Sequence, residues 1–225
     1  MDGQLHPEVL ASNIMKRRLL ILGLMLSGPA VLTACVIPKV TQEPLHNYVL
    51  SFDEGMAMES RQSRALELPG LLVTVPEPAP GFESPRMVYV KIPYELNVFA
   101  TSQWVDSPAR MLAPLIIQRL DKSGIWSSVV HMPTPVRSDY RLDISHVALV
   151  QEFLQQPSQI RLALRAQLTT MLDPHVLGTR NFEIREDAPS EDAYGGVLAA
   201  QGAVRKLLDT LVEWLDRCLH ESQTC

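Results

Sequence analysis

The chain has 225 residues, with 20 basic and 25 acidic side chains, a net charge of −5 and a hydrophobic share of 46%. That balance does not suggest nucleic acid binding, which wants a basic face, and three cysteines are too few for a disulfide framework. The length suits one domain with a proper core and is small for two.

The first element is an address. Lys16, Arg17 and Arg18 precede an apolar run, Leu19–Leu26, that is broken by Ser27-Gly28-Pro29, the order of a secretory signal. Even counted to Val31, the run would span about 20 Å as a helix against roughly 30 Å of bilayer hydrocarbon, so cleavage is expected and not a permanent span. Leu32-Thr33-Ala34-Cys35 then reads as a bacterial lipoprotein signal. Small residues fit a peptidase groove, and the Cys35 sulfur is the nucleophile that accepts a diacylglycerol group before the cut. The alternative is an ordinary secretory signal with an incidental cysteine. Residues 1–34 are expected to be removed, with Cys35 lipidated and first in the mature chain, and Val36 in place of an aspartate favours the outer membrane. Asp2, Pro7 and Glu8 are foreign to a signal, which points to Met15 as the true start. Residues 35–45, with two prolines, read as the lipidated N-terminus and a tether, and residues 46–225 as the domain.

Within the domain, Asn47–Phe52 and Leu71–Val75 are β-rich runs around a polar loop, Asp53–Leu68, and Pro76–Pro85 is a turn region. Arg86–Val90 and Leu96–Ala100 are strands hinged at Ile92-Pro93-Tyr94, where the proline must lie at an edge or turn. Ser107-Pro108 is a helix start, with Ser107 as cap and Pro108 in the first turn. Leu112, Leu115, Ile116 and Leu120 form its apolar stripe, and Gly124 ends it. Ile125–Val130 is a further strand. Tyr140–Phe153 switches its apolar parity midway, which predicts a bulge near Ser145-His146. Ile160, Leu162, Leu164, Ala166 and Leu168 alternate with polar residues as a half-buried strand, and Leu177–Arg185 is its antiparallel partner. Glu191–Leu219 places Val197, Val204, Leu208, Leu211, Leu215 and Cys218 on one helical face, with Pro189-Ser190 before it as its cap and Glu191 and Asp192 in its first turn, suiting the positive end of the helix dipole. The expected fold is α/β of the α+β type: a two-layer sandwich in which two main helices pack on a mixed, mostly antiparallel sheet.

A search for chemistry finds no nucleophile elbow, phosphate loop, dinucleotide fingerprint or zinc-protease motif. No catalytic, metal or cofactor site is expected. His220 near Cys218 reads as helix-end polarity, not a zinc half-site. Asp143, Ser145 and His146 hold the letters of a triad, but strand neighbours face apart unless the bulge turns them. Cys218 and Cys225 could pair with each other, pair between chains or stay unpaired. The aromatic-rich stretch around Tyr94 and Trp104 is mostly core packing by its pattern, and these two are the candidates for a partner surface.

Arg86-Met87-Val88-Tyr89-Val90, Pro93-Tyr94-Glu95-Leu96-Asn97, Phe99-Ala100, Trp104-Val105-Asp106 and Pro108-Ala109-Arg110-Met111-Leu112 resemble the signature stretch of the ABC-type transport auxiliary lipoprotein family, the PqiC-like group. The resemblance extends through the later strands to the final helix with Trp214. It implies a non-enzymatic periplasmic lipoprotein, anchored at the outer membrane through Cys35. Its expected partners are an ABC transporter ATPase and permease and an MCE-domain protein that carries lipid between membranes. It also implies a homo-oligomer and no cofactor. The alternative is an outer-membrane biogenesis or peptidoglycan-synthase regulatory lipoprotein of similar design.

Overall fold

A computed structural model describes residues 43–51 and 68–220. Cys35, the signal, most of the tether, nearly all of the Asp53–Leu68 loop and Cys225 lie outside the described residues. The elements run β1 (His46–Tyr48), β2 (Gly70–Val73), β3 (Arg86–Val90), β4 (Asn97–Trp104), α1 (Pro108–Ser123), β5 (Ser128–His131), β6 (Tyr140–Glu152), β7 (Gln159–Thr170), β8 (Val176–Asp187) and α2 (Ala193–His220).

The meander β6–β7–β8 is the frame of the sheet, because its two long antiparallel ladders pair Tyr140 with Thr170, Glu152 with Gln159 and Gln159 with Asp187. The other edge of β6 is shared. β2 lies parallel to its start, with Leu71 opposite Tyr140, and β3 lies parallel to its end, with Val90 opposite Glu152. Backbone bonds from Glu77 and Ala79 to Ile144 and Val147 carry the chain along the gap between them. β4 and β1 extend the sheet beyond β3, and β5 extends it beyond β2. The sheet is mixed, with its longest ladders antiparallel, and both helices pack against it. The parallel pairs were not expected individually. They arise where a helix or a long link, and not a hairpin, joins the strands, as parallel pairing requires.

The predicted bulge is present. The β6–β7 register shifts between Ser145 and Ala148, and His146 takes φ 56°, so Leu142 and Ile144 before it and Val147 and Leu149 after it all face the main core. The alternation in β7 buries Ile160, Leu162, Leu164, Ala166 and Leu168 against α2, whose face carries Val197, Val204, Leu208, Leu211 and Leu215. Trp214 meets Phe182 of β8 edge-on at 5.7 Å. On the opposite face of the sheet, a smaller cluster joins Phe82, Val88, Val90, Ala148 and Val150.

Both helix starts differ in detail from expectation. Ser107 holds the cap position of α1, but its hydroxyl makes no capping bond; its N–H donates to Asp106 Oδ1 at 2.7 Å. Gly124 ends the helix at φ 77°, as expected. In α2 the cap is Asp192 itself, whose Oδ1 accepts the Gly195 N–H at 2.7 Å and the Ser190 hydroxyl at 2.8 Å. Those two bonds hold its carboxyl below the ordinary aspartate range. The first turn then lies so close to its approach loop that a Cβ on Gly195 would stand 2.2 Å from the Ser190 carbonyl oxygen. Gly195→Ala is therefore expected to cost roughly 1–3 kcal/mol by overpacking. At Gly202 a Cβ meets only the Glu186 side chain, at 3.3 Å, and Ala there gains helix propensity. Urea unfolding should find Gly202→Ala no less stable than the parent, and equal losses at both sites would contradict the packing account.

Candidate functional site

Both ends of the meander carry exposed apolar side chains. At one end, β3 turns into β4 through Ile92-Pro93-Tyr94-Glu95, closed by a bond from the Glu95 N–H to the Ile92 carbonyl at 3.1 Å. Proline suits the second position of such a turn, while the third demands positive φ and normally takes glycine. Tyr94 occupies that third position at φ 69° and is fully exposed, at 105%. A bulky residue held there costs about 1–3 kcal/mol, and Ile92 and Leu96 beside it, with Leu154 from the β6–β7 turn, are exposed as well.

Next to this tip lies a recess of about 470 Å³ with Tyr89, Phe99 and Phe153 in its lining and Gln156 and Glu191 at its side. The rings stand 4.7 to 6.4 Å apart, and the Lys91 ammonium sits 5.4 Å from the Tyr89 ring and 5.6 Å from that of Phe153, within cation–π range. At the opposite end, the β5–β6 link exposes Met132 and Val136, and the β7–β8 turn exposes Met171 and Leu172, the latter at 98%, with Val176 following. A bond from the Met171 N–H to the Asp139 carbonyl at 2.8 Å ties these two segments together.

The two residues proposed for a partner surface are thus separated by the fold. Tyr94 is on the surface. Trp104 is 2% exposed and belongs to the main core, which corrects its assignment to an interface: the end of β4 buries its ring. The exposed end around Leu172 lies outside the aromatic stretch expected to hold a partner surface. Its signal was Met171-Leu172 inside a turn, a place where polar residues are usual.

The triad letters do not assemble. The bulge does bring Ser145 Oγ to 3.0 Å from His146 Nδ1, but the Asp143 carboxylate accepts from Arg141 at 2.9 Å. Among the described residues, no group of three or more His, Cys, Asp or Glu is placed to hold a metal ion. His220 Nδ1 lies 2.8 Å from the Asp216 carbonyl, a helix-end contact. Cys218 is buried and disulfide-bonded, with its partner outside the described residues.

On the sheet face away from the helices, Glu152 pairs with Arg161 at 2.6 Å and with Arg185, and Arg185 also reaches Glu183 at 2.9 Å. Burial alone would raise the Glu152 pKa, but the hydrogen bonds and charges of Arg161 and Arg185 outweigh it and hold the carboxyl below its usual range. A group depressed on folding contributes stability above its unfolded pKa and loses it as pH falls through the folded value. Glu152→Gln is expected to lower stability at neutral pH by roughly 1–3 kcal/mol, the worth of charge-assisted bonds. It should also flatten the acid limb of a urea-unfolding series, and an unchanged limb would refute the role given to this carboxylate.

Residues 48–212 match the family described as ABC-type transport auxiliary lipoprotein component. No curated protein matches the chain. Among solved structures, protein XCC0632 from Xanthomonas campestris is similar at 26% identity and a TM-score of 0.64, over 68% of this chain and 87% of that one. An uncharacterised protein aligns at 13% identity and a TM-score of 0.55, over 77% of this chain and 99% of that one, a likeness of fold alone.

Proposed function

We propose, because this chain belongs to the ABC-type transport auxiliary lipoprotein family, that it is the docking component of a lipid-transport system, coupling the outer membrane to a periplasmic partner. As a member it is a non-catalytic periplasmic lipoprotein held at the outer membrane and auxiliary to an ABC transport system. In the finer reading, Cys35 carries the acyl anchor, residues 36–45 give reach, and the folded domain meets an MCE-domain protein so that lipid passes without crossing free water.

The observation that carries this reading is a single continuous sheet with exposed apolar side chains at both ends, around Tyr94 and around Leu172. Exposed apolar groups gathered at defined positions are what contact surfaces are made of. Tyr94 is retained as a contact residue, and Trp104 is not.

Affinity capture of the acylated protein from cross-linked, detergent-solubilised envelopes tests the reading. The ATPase, the permease and an MCE-domain protein should be recovered together. Recovery of a peptidoglycan synthase or of barrel-assembly proteins in their place would favour the regulatory alternative and overturn the proposal. The same preparation is proposed to be a homo-oligomer, and a monomer mass in analytical ultracentrifugation would count against that.

A further inference from the structure

The course of the chain into the domain places the Ile92-Pro93-Tyr94 tip on the side from which the tether arrives. β1 runs parallel to β4, with His46 opposite Ser102 and Tyr48 opposite Trp104. β4 itself starts at Asn97, immediately after the tip. The chain therefore reaches His46 from the side of the sheet on which the tip lies, and the lipidated Cys35 precedes His46 by 11 positions. Eleven residues reach at most roughly 36–40 Å. From the level of His46 to the start of β4 is five residues of strand, about 17 Å, so the tether spans that distance with slack. To bring the Leu172 end to the membrane, the chain would have to reverse its direction between Cys35 and its entry into β1.

The chemistry at the tip suits an interface between water and hydrocarbon. Tyr94 offers an apolar ring with a phenol at its end, the combination favoured at headgroup depth. Ile92, Leu96 and Leu154 add apolar surface, and Lys91 is placed to meet anionic headgroups. The Glu95 carboxylate is engaged with Asn97 Nδ2 at 3.0 Å. The turn also holds Tyr94 in a conformation that favours glycine, a strain that folding alone does not reward.

We propose that the β3–β4 tip, residues 91–96, is a second membrane contact: it dips into the headgroup region of the leaflet that holds the Cys35 acyl chains, and so orients the Leu172 end toward the periplasm and the transport partner. This rests on the reading of Cys35 as the anchor. It names the bilayer, and not a protein, as what Tyr94 meets.

The test uses the full acylated chain in vesicles of phosphatidylethanolamine and phosphatidylglycerol, with bromine on the lipid acyl chains as quencher. Trp104, Trp126 and Trp214 are all buried, so an added exposed indole reports separately. Tyr94→Trp, with Ile92→Trp as a second reporter, should be quenched at least about twofold more strongly than Leu172→Trp. If the protein floats with the vesicles but the tip reporters are unquenched, or are quenched less than Leu172→Trp, the tip proposal is overturned and the anchor stands. If the protein does not float and Cys35 is found bare, the anchor reading fails and this inference fails with it.

Discussion

Trp104→Ala should destabilise the folded domain by about 3–5 kcal/mol, the cost of emptying a large aromatic site in a packed core. Tyr94→Gly, ten residues away, should leave stability unchanged or slightly raised. Trp104 is 2% exposed, and its backbone N–H donates to the Pro85 carbonyl at 2.7 Å, so the ring and its strand end are held together. Removing it leaves a void in the main core that its neighbours would have to fill. Tyr94 buries nothing and sits at φ 69°, a conformation that glycine adopts without strain. Urea unfolding of the two variants against the parent gives both numbers. Equal and small effects would mean that Trp104 is not a core residue, and a large loss at Tyr94 would mean that the turn is held by contacts of its ring.

Cys35→Ser should release the protein from the outer membrane almost completely while leaving the unfolding of the domain unchanged. A serine hydroxyl is not ionised at neutral pH and does not replace the thiolate as the nucleophile that takes the diacylglycerol. Each buried methylene contributes about 0.8 kcal/mol, so two or three acyl chains hold a protein where the remaining surface contacts do not. Fractionation of cells expressing the variant measures this directly. A Cys35→Ser protein that still fractionates quantitatively with the outer membrane would show that another segment, the Tyr94 tip included, suffices as anchor.

Much of the architecture was legible because alternation and helical spacing record which side of an element is buried. The faces of β7 and α2, the bulge at His146 and the stop at Gly124 all follow from residue order. Neighbours are another matter. Nothing in Leu71–Val73 says that it lies parallel to the start of β6 while Val88–Val90 lies parallel to its end, since period two marks faces and not partners. The cap of α2 fell on Asp192 and not on an earlier residue because three polar candidates, Ser190, Glu191 and Asp192, stand in a row, and only the geometry of the loop selects one. Tyr94 and Trp104 belong to the same aromatic stretch, and a sequence does not tell which ring turns inward. One follows a proline in a turn and the other ends a strand, and that difference in position decided their exposure. The apolar turn at Met171-Leu172 was readable in principle, as a breach of the polarity usual in turns.

Attachment to the outer membrane depends first on a sulfur. The intact mass and N-terminal peptide of the protein extracted from outer membranes test that most directly. The expected result is a chain that begins at Cys35 and carries a thioether-linked diacylglycerol. A chain that retains residues preceding Cys35, with that thiol unmodified, would contradict it.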